Sequence, residues 1–305
     1  MVKKSDIIIL LAGIMWGVLG VFVKELRQYG FTPLQISALR WIFSAAVTFA
    51  AVIITDRKKL KIALKDIWIF AFTGIFSLLA MTAFYFMSMA ATSIAVSDIL
   101  MYTAPIWVLV FSVIFFKERI TVGKTVSIVL VFTGCVLVCG LIGSSEEASF
   151  NPLGIVWGLC SGIAYSLYSI VGKTALKKYN RLTIVTYNFI FAAVGSLFIA
   201  DIPQTFHSIV ENLPAVKYIL LTAVIGTVLP FFLYTSGLKH TPASKAAIMC
   251  SIEPISATVI SIFAAKEKIS GLQLIGIGFI ISAILLLQLQ KPKRNTLNQN
   301  AYSLK

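Results

Sequence analysis

Residues 85–121 read YFMSMAATSIAVSDILMYTAPIWVLVFSVIFFKERIT, and residues 234–270 read YTSGLKHTPASKAAIMCSIEPISATVISIFAAKEKIS. Laid over each other without a gap, at a shift of 149 residues, they put Tyr85 on Tyr234, Thr92 on Thr241, Pro105 on Pro254, Ser112 on Ser261 and Lys117-Glu118 on Lys266-Glu267. The match extends backwards to Trp16 over Tyr165 and Lys24 over Lys173. Similarity at a fixed shift marks an internal repeat. The chain is therefore expected to hold two copies of one unit, residues 1–144 and 150–290, with a disordered cytoplasmic tail over 291–305.

Each copy carries five apolar runs. Their limits are 7–26, 33–55, 66–88, 93–116 and 122–142, then 152–172, 182–200, 214–236, 243–265 and 270–290. About 20 apolar residues span the hydrocarbon core of a bilayer, whereas a buried strand needs only about 4–8, so the runs read as helices that cross a membrane. Composition agrees: 58% of the 305 residues are hydrophobic, 12% are charged and the mean hydropathy is +0.92. A soluble domain carries about 25% charged residues. The fold class expected is an all-α polytopic membrane protein of ten transmembrane helices. Five is odd, so the second copy enters the membrane upside down, which gives two inverted five-helix repeats with a binding site near the midplane.

Orientation follows from the bases. With the N-terminus inside, twenty of the 26 Lys and Arg residues fall in cytoplasmic segments, five fall outside, and Arg40 lies within a span. Both termini are thus expected in the cytoplasm and the protein in the cytoplasmic membrane. Bases spread in this way flank spans and form no nucleic-acid patch. The first run continues into Lys24, Glu25 and a second span without a cleavage site, so it reads as a helix and not as a signal peptide. Cys135, Cys139, Cys160 and Cys250 fall inside spans as small apolar side chains. No metal site, cofactor motif or nucleotide-binding loop is visible.

The Trp16-Gly17 pair, the Thr32-Pro33-Leu34 then Arg40 pattern, and the twin Thr/Ser-rich segments with central Pro and terminal Lys-Glu resemble EamA-type permeases of the drug/metabolite transporter superfamily. The resemblance runs from about residue 7 to 290. It implies a ten-helix carrier for amino acids, nucleotide precursors, amines or other small metabolites, often outward. Two positions differ between the copies: Asp98 faces Ala247, and Glu253 faces Ala104.

A charge in the hydrocarbon costs at least about 2.5–3.5 kcal/mol on insertion scales, which singles out Arg40, Asp98 and Glu253. Glu253 directly precedes Pro254, whose missing N–H breaks the helix at mid-depth. It reads as a counter-ion for a cationic group or as a proton acceptor, against the plainer reading of a carboxylate that steadies a kink. Arg40 and Asp98 lie at similar depths and are expected to form an ion pair or outer gate; alternatively Arg40 binds a substrate carboxylate bidentately. On one continuous helix Asp98 and Glu253 would lie about 120° apart and face different walls. Lys245 is expected to snorkel to the cytoplasmic interface.

Trp16 with Tyr165, and Tyr85 with Tyr234, are symmetric aromatics suited to cation–π contact or stacking. Pro105 and Pro254 mark helix breaks. Gly13 and Gly17 on the first helix, and Gly154, Gly158 and Gly162 on the sixth, form smooth faces for close packing that let helices slide.

The function expected is a gradient-driven carrier of amino acids or related metabolites by alternating access. A carrier for quaternary amines such as choline, and a flippase for a lipid-linked intermediate, are the alternatives. An enzyme is not expected, because no intramembrane histidine or nucleophile–base pair is present and no residue reads as catalytic. The expected partners are a small-molecule substrate, membrane lipids and a coupled proton or cation, with a homodimer left open.

Overall fold

A computed structural model describes residues 3–140, 151–265 and 269–289. The tail over 291–305 and the Lys266-Glu267 half of the repeated motif lie outside the described residues. The order is α1 (Lys4–Gln28), α2 (Pro33–Thr55), α3 (Leu64–Ala91), α4 (Ile94–Phe116) and α5 (Val122–Val138), then α6 (Pro152–Ala175), α7 (Arg181–Ser196), α8 (Ile202–Glu211), α9 (Leu213–Leu238), α10 (Ala243–Phe263) and α11 (Gly271–Leu289). No strand occurs among the described residues.

Eight of these helices are long and apolar enough to cross a membrane, so the chain is a multi-pass membrane protein. Apart from α8, each covers one of the apolar runs of the sequence. α5 and α7 are shorter, at 17 and 16 residues, and about 1.5 Å per residue makes them about 25 Å long.

Local chemistry sets the helix starts. At α2 the Thr32 hydroxyl accepts from the Gln35 N–H, the Gln35 Oε1 accepts from the Thr32 N–H at 2.8 Å, and Pro33 occupies the first turn, where no N–H is needed. At α6 the Asn151 Oδ1 accepts from the Leu153 and Gly154 N–H groups, ahead of which Pro152 occupies the first turn. Between the apolar runs at 182–200 and 214–236, α8 is an amphipathic helix. Phe206 and Val210 stand exposed on one face, and His207 pairs with Glu211 at 3.1 Å on another.

Two irregularities recur at the repeat spacing of 149 residues. α4 is interrupted at Tyr102-Thr103 and α10 at Ser251-Ile252, each directly before a half-helix that opens with Ala104-Pro105 or Glu253-Pro254. α3 contains a π-helical stretch, Thr73–Leu79, and α9 another, Val224–Val228. In the core between the halves, Trp41, Tyr168, Phe189 and Phe231 are fully buried. Phe231 meets the rings of Tyr168 at 4.9 Å and Trp16 at 5.0 Å edge-on.

The glycine faces do not meet each other. α1 lies on α10: a Cβ at Gly13 would come within 3.0 Å of the Cys250 carbonyl oxygen, and one at Gly17 would sit 1.9 Å from the Ser256 Oγ and 2.8 Å from the Glu253 carbonyl oxygen. α6 lies on α3 and α4: a Cβ at Gly154 would reach Thr92, one at Gly158 would reach Leu100, and one at Gly162 would sit 2.9 Å from the Leu100 carbonyl oxygen. Each broken helix is thus backed, at its break, by a face without side chains.

Candidate functional site

The two breaks meet at a cavity of 30 Å³ lined by Tyr102 and Pro105 of α4, Tyr165 and Ser169 of α6, Tyr234 of α9 and Glu253 of α10. That volume holds about two waters. Glu253 is the first residue of its half-helix, so the turn at Ser251-Ile252 delivers its side chain to the cavity instead of leaving it along a continuous rod. Tyr234 shares a hydrogen bond of 2.6 Å with the Ser169 hydroxyl, which fixes that wall.

Three of the five aromatic and acidic candidates from the sequence therefore line one cavity: Glu253, Tyr165 and Tyr234. Trp16 stands behind them, 5% exposed, with its ring 6.3 Å from that of Tyr165 and 5.5 Å from that of Tyr234. Tyr85 is elsewhere, its hydroxyl donating to the Asp98 Oδ1 at 2.8 Å. Tyr102, Ser169 and Ser251 are lining residues that the sequence reading did not single out. Tyr102 and Ser251 occupy the same repeat position, three residues before the paired prolines, which is the signal that points to them.

The three intramembrane charges are each partly exposed. Arg40 and Asp98 do not pair. The Arg40 Nε donates to the Thr227 hydroxyl at 2.7 Å, on the π-helical stretch of α9, and its guanidinium carbon lies 4.6 Å from the centre of the Trp41 ring. Asp98 has Tyr85 instead. Glu253 interacts electrostatically with Arg40 and with Asp98, but among the described residues its carboxylate makes no hydrogen bond or ion pair. The 120° separation expected of the two acids does not carry over, because it assumes a continuous helix and both helices are broken between the compared positions.

Two further charges are paired inside the bundle. Asp6, 1% exposed, accepts from the Lys245 Nζ at 2.9 Å. Lys245 therefore turns inward to a partner on α1 and does not snorkel. Glu118, just past α4, accepts from the Lys124 Nζ at 2.9 Å, from the Ala243 N–H at 3.1 Å and from the Ser244 hydroxyl. Among the described residues no three His, Cys, Asp or Glu side chains are grouped so as to hold a metal.

Comparisons with known proteins align with this architecture. The sequence profile of the EamA-like transporter family matches residues 3–140 and again residues 152–289. An "Uncharacterized transporter" of Archaeoglobus fulgidus is 27% identical over 285 residues, covering 91% of this chain and 99% of its own. The "Uncharacterized transporter YwfM" of Bacillus subtilis is 24% identical, with 95% and 96% covered. The "Uncharacterized inner membrane transporter YicL" of Salmonella typhimurium is 22% identical, with 96% and 97% covered. A solved structure titled "Crystal structure of protein" superposes with a TM-score of 0.77 at 17% identity, over 95% of this chain and 98% of that one, which shows a shared fold.

Proposed function

Because this chain belongs to the EamA-like transporter family, and is a membrane transporter, we propose that it is a secondary carrier of small zwitterionic metabolites such as amino acids, with Glu253 as the ligand for the substrate's ammonium group. The single observation that carries this reading is the state of Glu253. Arg40, Asp98, Asp6 and Lys245 each have a partner on another helix; among the described residues the Glu253 carboxylate faces a cavity without one. A charge left so in a membrane interior is costly unless a ligand or a proton meets it.

Arg40 gives the reading its second charge. Its Nε is committed to Thr227 and its plane to Trp41, which leaves the two terminal amino groups of the fork for a carboxylate. A zwitterion placed between Glu253 and Arg40 satisfies both. The aromatic walls Tyr102, Tyr165 and Tyr234 favour a second reading, a quaternary amine held by Glu253 and cation–π contacts. A lipid-linked substrate is favoured by another feature, an apolar crevice of 430 Å³ between α3 and α6 flanked by Phe72, Phe76 and Phe84.

The recurrent breaks, the recurrent π-helical stretches and the doubled family match support ten spans arranged as two repeats of residues 1–144 and 150–290, inverted, with both termini in the cytoplasm. Substrate-driven currents from proteoliposomes on a supported membrane test the substrate reading. Saturable, proton-dependent current with zwitterionic amino acids, lost in Glu253→Gln, is the expected result. Current with choline-like amines alone favours the second reading, and silence with both overturns Glu253 as an electrogenic site.

A further inference from the structure

At the end of the bundle that holds the N-terminus, six helices are tied by charged side chains. Asp6 at the start of α1 bonds Lys245 near the start of α10, with side chains 2% and 20% exposed. The Thr241 hydroxyl, just ahead of α10, bonds the Ser5 hydroxyl at 3.1 Å and approaches the Asp6 carboxylate at 3.5 Å. Lys117, in the left-handed conformation, turns the chain out of α4 so that Glu118 spans Lys124 of α5 and the opening N–H and hydroxyl of α10. Lys173 at the end of α6 donates to the carbonyl oxygens of Leu238, at 3.0 Å, and of Thr241.

The repeat supplies an internal control. Shifted by 149 residues, Ser5 becomes Gly154 and Thr241 becomes Thr92, and these two also touch, since a Cβ on Gly154 would lie 2.6 Å from the Thr92 methyl. The contact is therefore conserved between the two ends of the bundle, but its charges are not. Asp6 corresponds to Ile155, Lys245 to Val96 and Lys124 to Gln273, while Lys24, the counterpart of Lys173, is exposed. Among the described residues the Asp6–Lys245 ion pair latches one end and has only apolar counterparts at the other, where Glu267, the counterpart of Glu118, lies outside the described residues.

We propose that Asp6, Lys245 and Glu118 are positioning residues that form a one-sided gate, holding α10, the helix that carries Glu253, shut against α1 and α5 at the N-terminal end. This rests on the Glu253 cavity being the transport site. Glu118 caps the start of α10 across 125 residues of sequence, and Asp6 grips the same helix two residues further on. Opening toward this side must break the Asp6–Lys245 ion pair and the bonds from the start of α10 to Glu118, and must expose Asp6. Opening toward the other side leaves them intact. The gate therefore biases the carrier toward the form closed at its N-terminal end.

The test uses the full chain in proteoliposomes of known orientation, with the four native cysteines replaced by alanine and a reporter Ala247→Cys on the cavity wall. Modification by a membrane-impermeant thiol reagent added from the N-terminal side is expected to accelerate at least tenfold in Lys245→Met, and to return to the parent rate when Asp6→Lys is combined with Lys245→Asp. A rate unchanged in Lys245→Met overturns the gate. If the ion-pair variants do not fold, a Ser5→Cys, Thr241→Cys disulfide decides: oxidation is expected to suppress labelling from that side and reduction to restore it, and equal rates overturn the proposal. The assay reads side-specific access without any substrate, so a failed transport reading would show as absent flux with the gate result unaffected.

Discussion

The Tyr85 hydroxyl holds the Asp98 carboxylate at 2.8 Å, and that bond takes the place of the ion pair that Asp98 and Arg40 were expected to share. Asp98 is thus tied to α3, one helix away, and Arg40 is free to present its fork to the interior. Tyr85→Phe removes the only side-chain hydrogen bond to the Asp98 carboxylate among the described residues. Stability should fall by about 1–3 kcal/mol, the typical cost of an unsatisfied buried polar group. Adding Asp98→Leu should recover most of it. Thermal unfolding in detergent measures both, and an unshifted midpoint for Tyr85→Phe would argue that Asp98 is solvated from the cavity.

Arg40→Lys keeps the charge but loses the planar fork, the Nε bond to Thr227 and the stacking on Trp41. If Arg40 meets a substrate carboxylate, affinity for an amino acid should weaken at least tenfold, while affinity for its methyl ester should barely move. Calorimetric titration of the two ligands distinguishes this from a purely structural arginine, for which both would weaken together.

Gly17→Ala places a methyl 1.9 Å from the Ser256 Oγ and 2.7 Å from the Ala257 nitrogen. Forcing α1 off α10 should cost about 1–3 kcal/mol, as overpacking does, and should depress flux because the displaced contact adjoins Glu253. Gly20→Ala, three residues along the same helix with nothing within 4 Å, is the control. It should be neutral or stabilising by up to about 1 kcal/mol. Equal effects of the two would refute the packing assignment.

Gly158→Leu meets the Leu100 Cβ at 2.7 Å and the Ser88 Oγ at 2.8 Å. Some protein should fold, because α6 can shift outward, but uptake should be abolished as the broken helix α4 loses its backing. Normal uptake by the folded variant would show that α6 need not stay against α4.

Outside the spans, Lys178 bonds the Asp66 carboxylate and is held above the usual lysine pKa by that bond. The contribution to stability is complete below the unfolded lysine value of about 10.4 and is lost as pH rises through the raised folded value. The segment around Arg57–Leu60, tied to α7 by the Tyr187 hydroxyl on the Leu60 carbonyl at 2.7 Å, should therefore become protease-sensitive at alkaline pH. In Lys178→Met that sensitivity should be present already at neutral pH.

The membrane-length apolar helices, the doubled family match and the position of Glu253 at a break were legible because each depends on local signals: apolar length, fixed spacing and proline. What the sequence hid was partnership at a distance. Lys245 looks like a snorkelling end residue until Asp6, 239 positions away, is seen beside it. Glu118 looks like a loop charge until α10 begins on it. The helical-wheel angle between Asp98 and Glu253 misled for a plain reason: 100° per residue holds only where the hydrogen-bond ladder is unbroken.

The cavity beside Glu253 has room for about two waters and not for a metabolite. Occupancy must therefore be preceded or accompanied by expansion, and the free energy of that expansion is subtracted from the apparent affinity according to the fraction of molecules already enlarged. A carrier so made should show modest substrate affinity with fast release. A rigid molecule that fills the enlarged form should inhibit it more tightly than any substrate binds, since none of its contacts is spent on carrying the protein through to the other side.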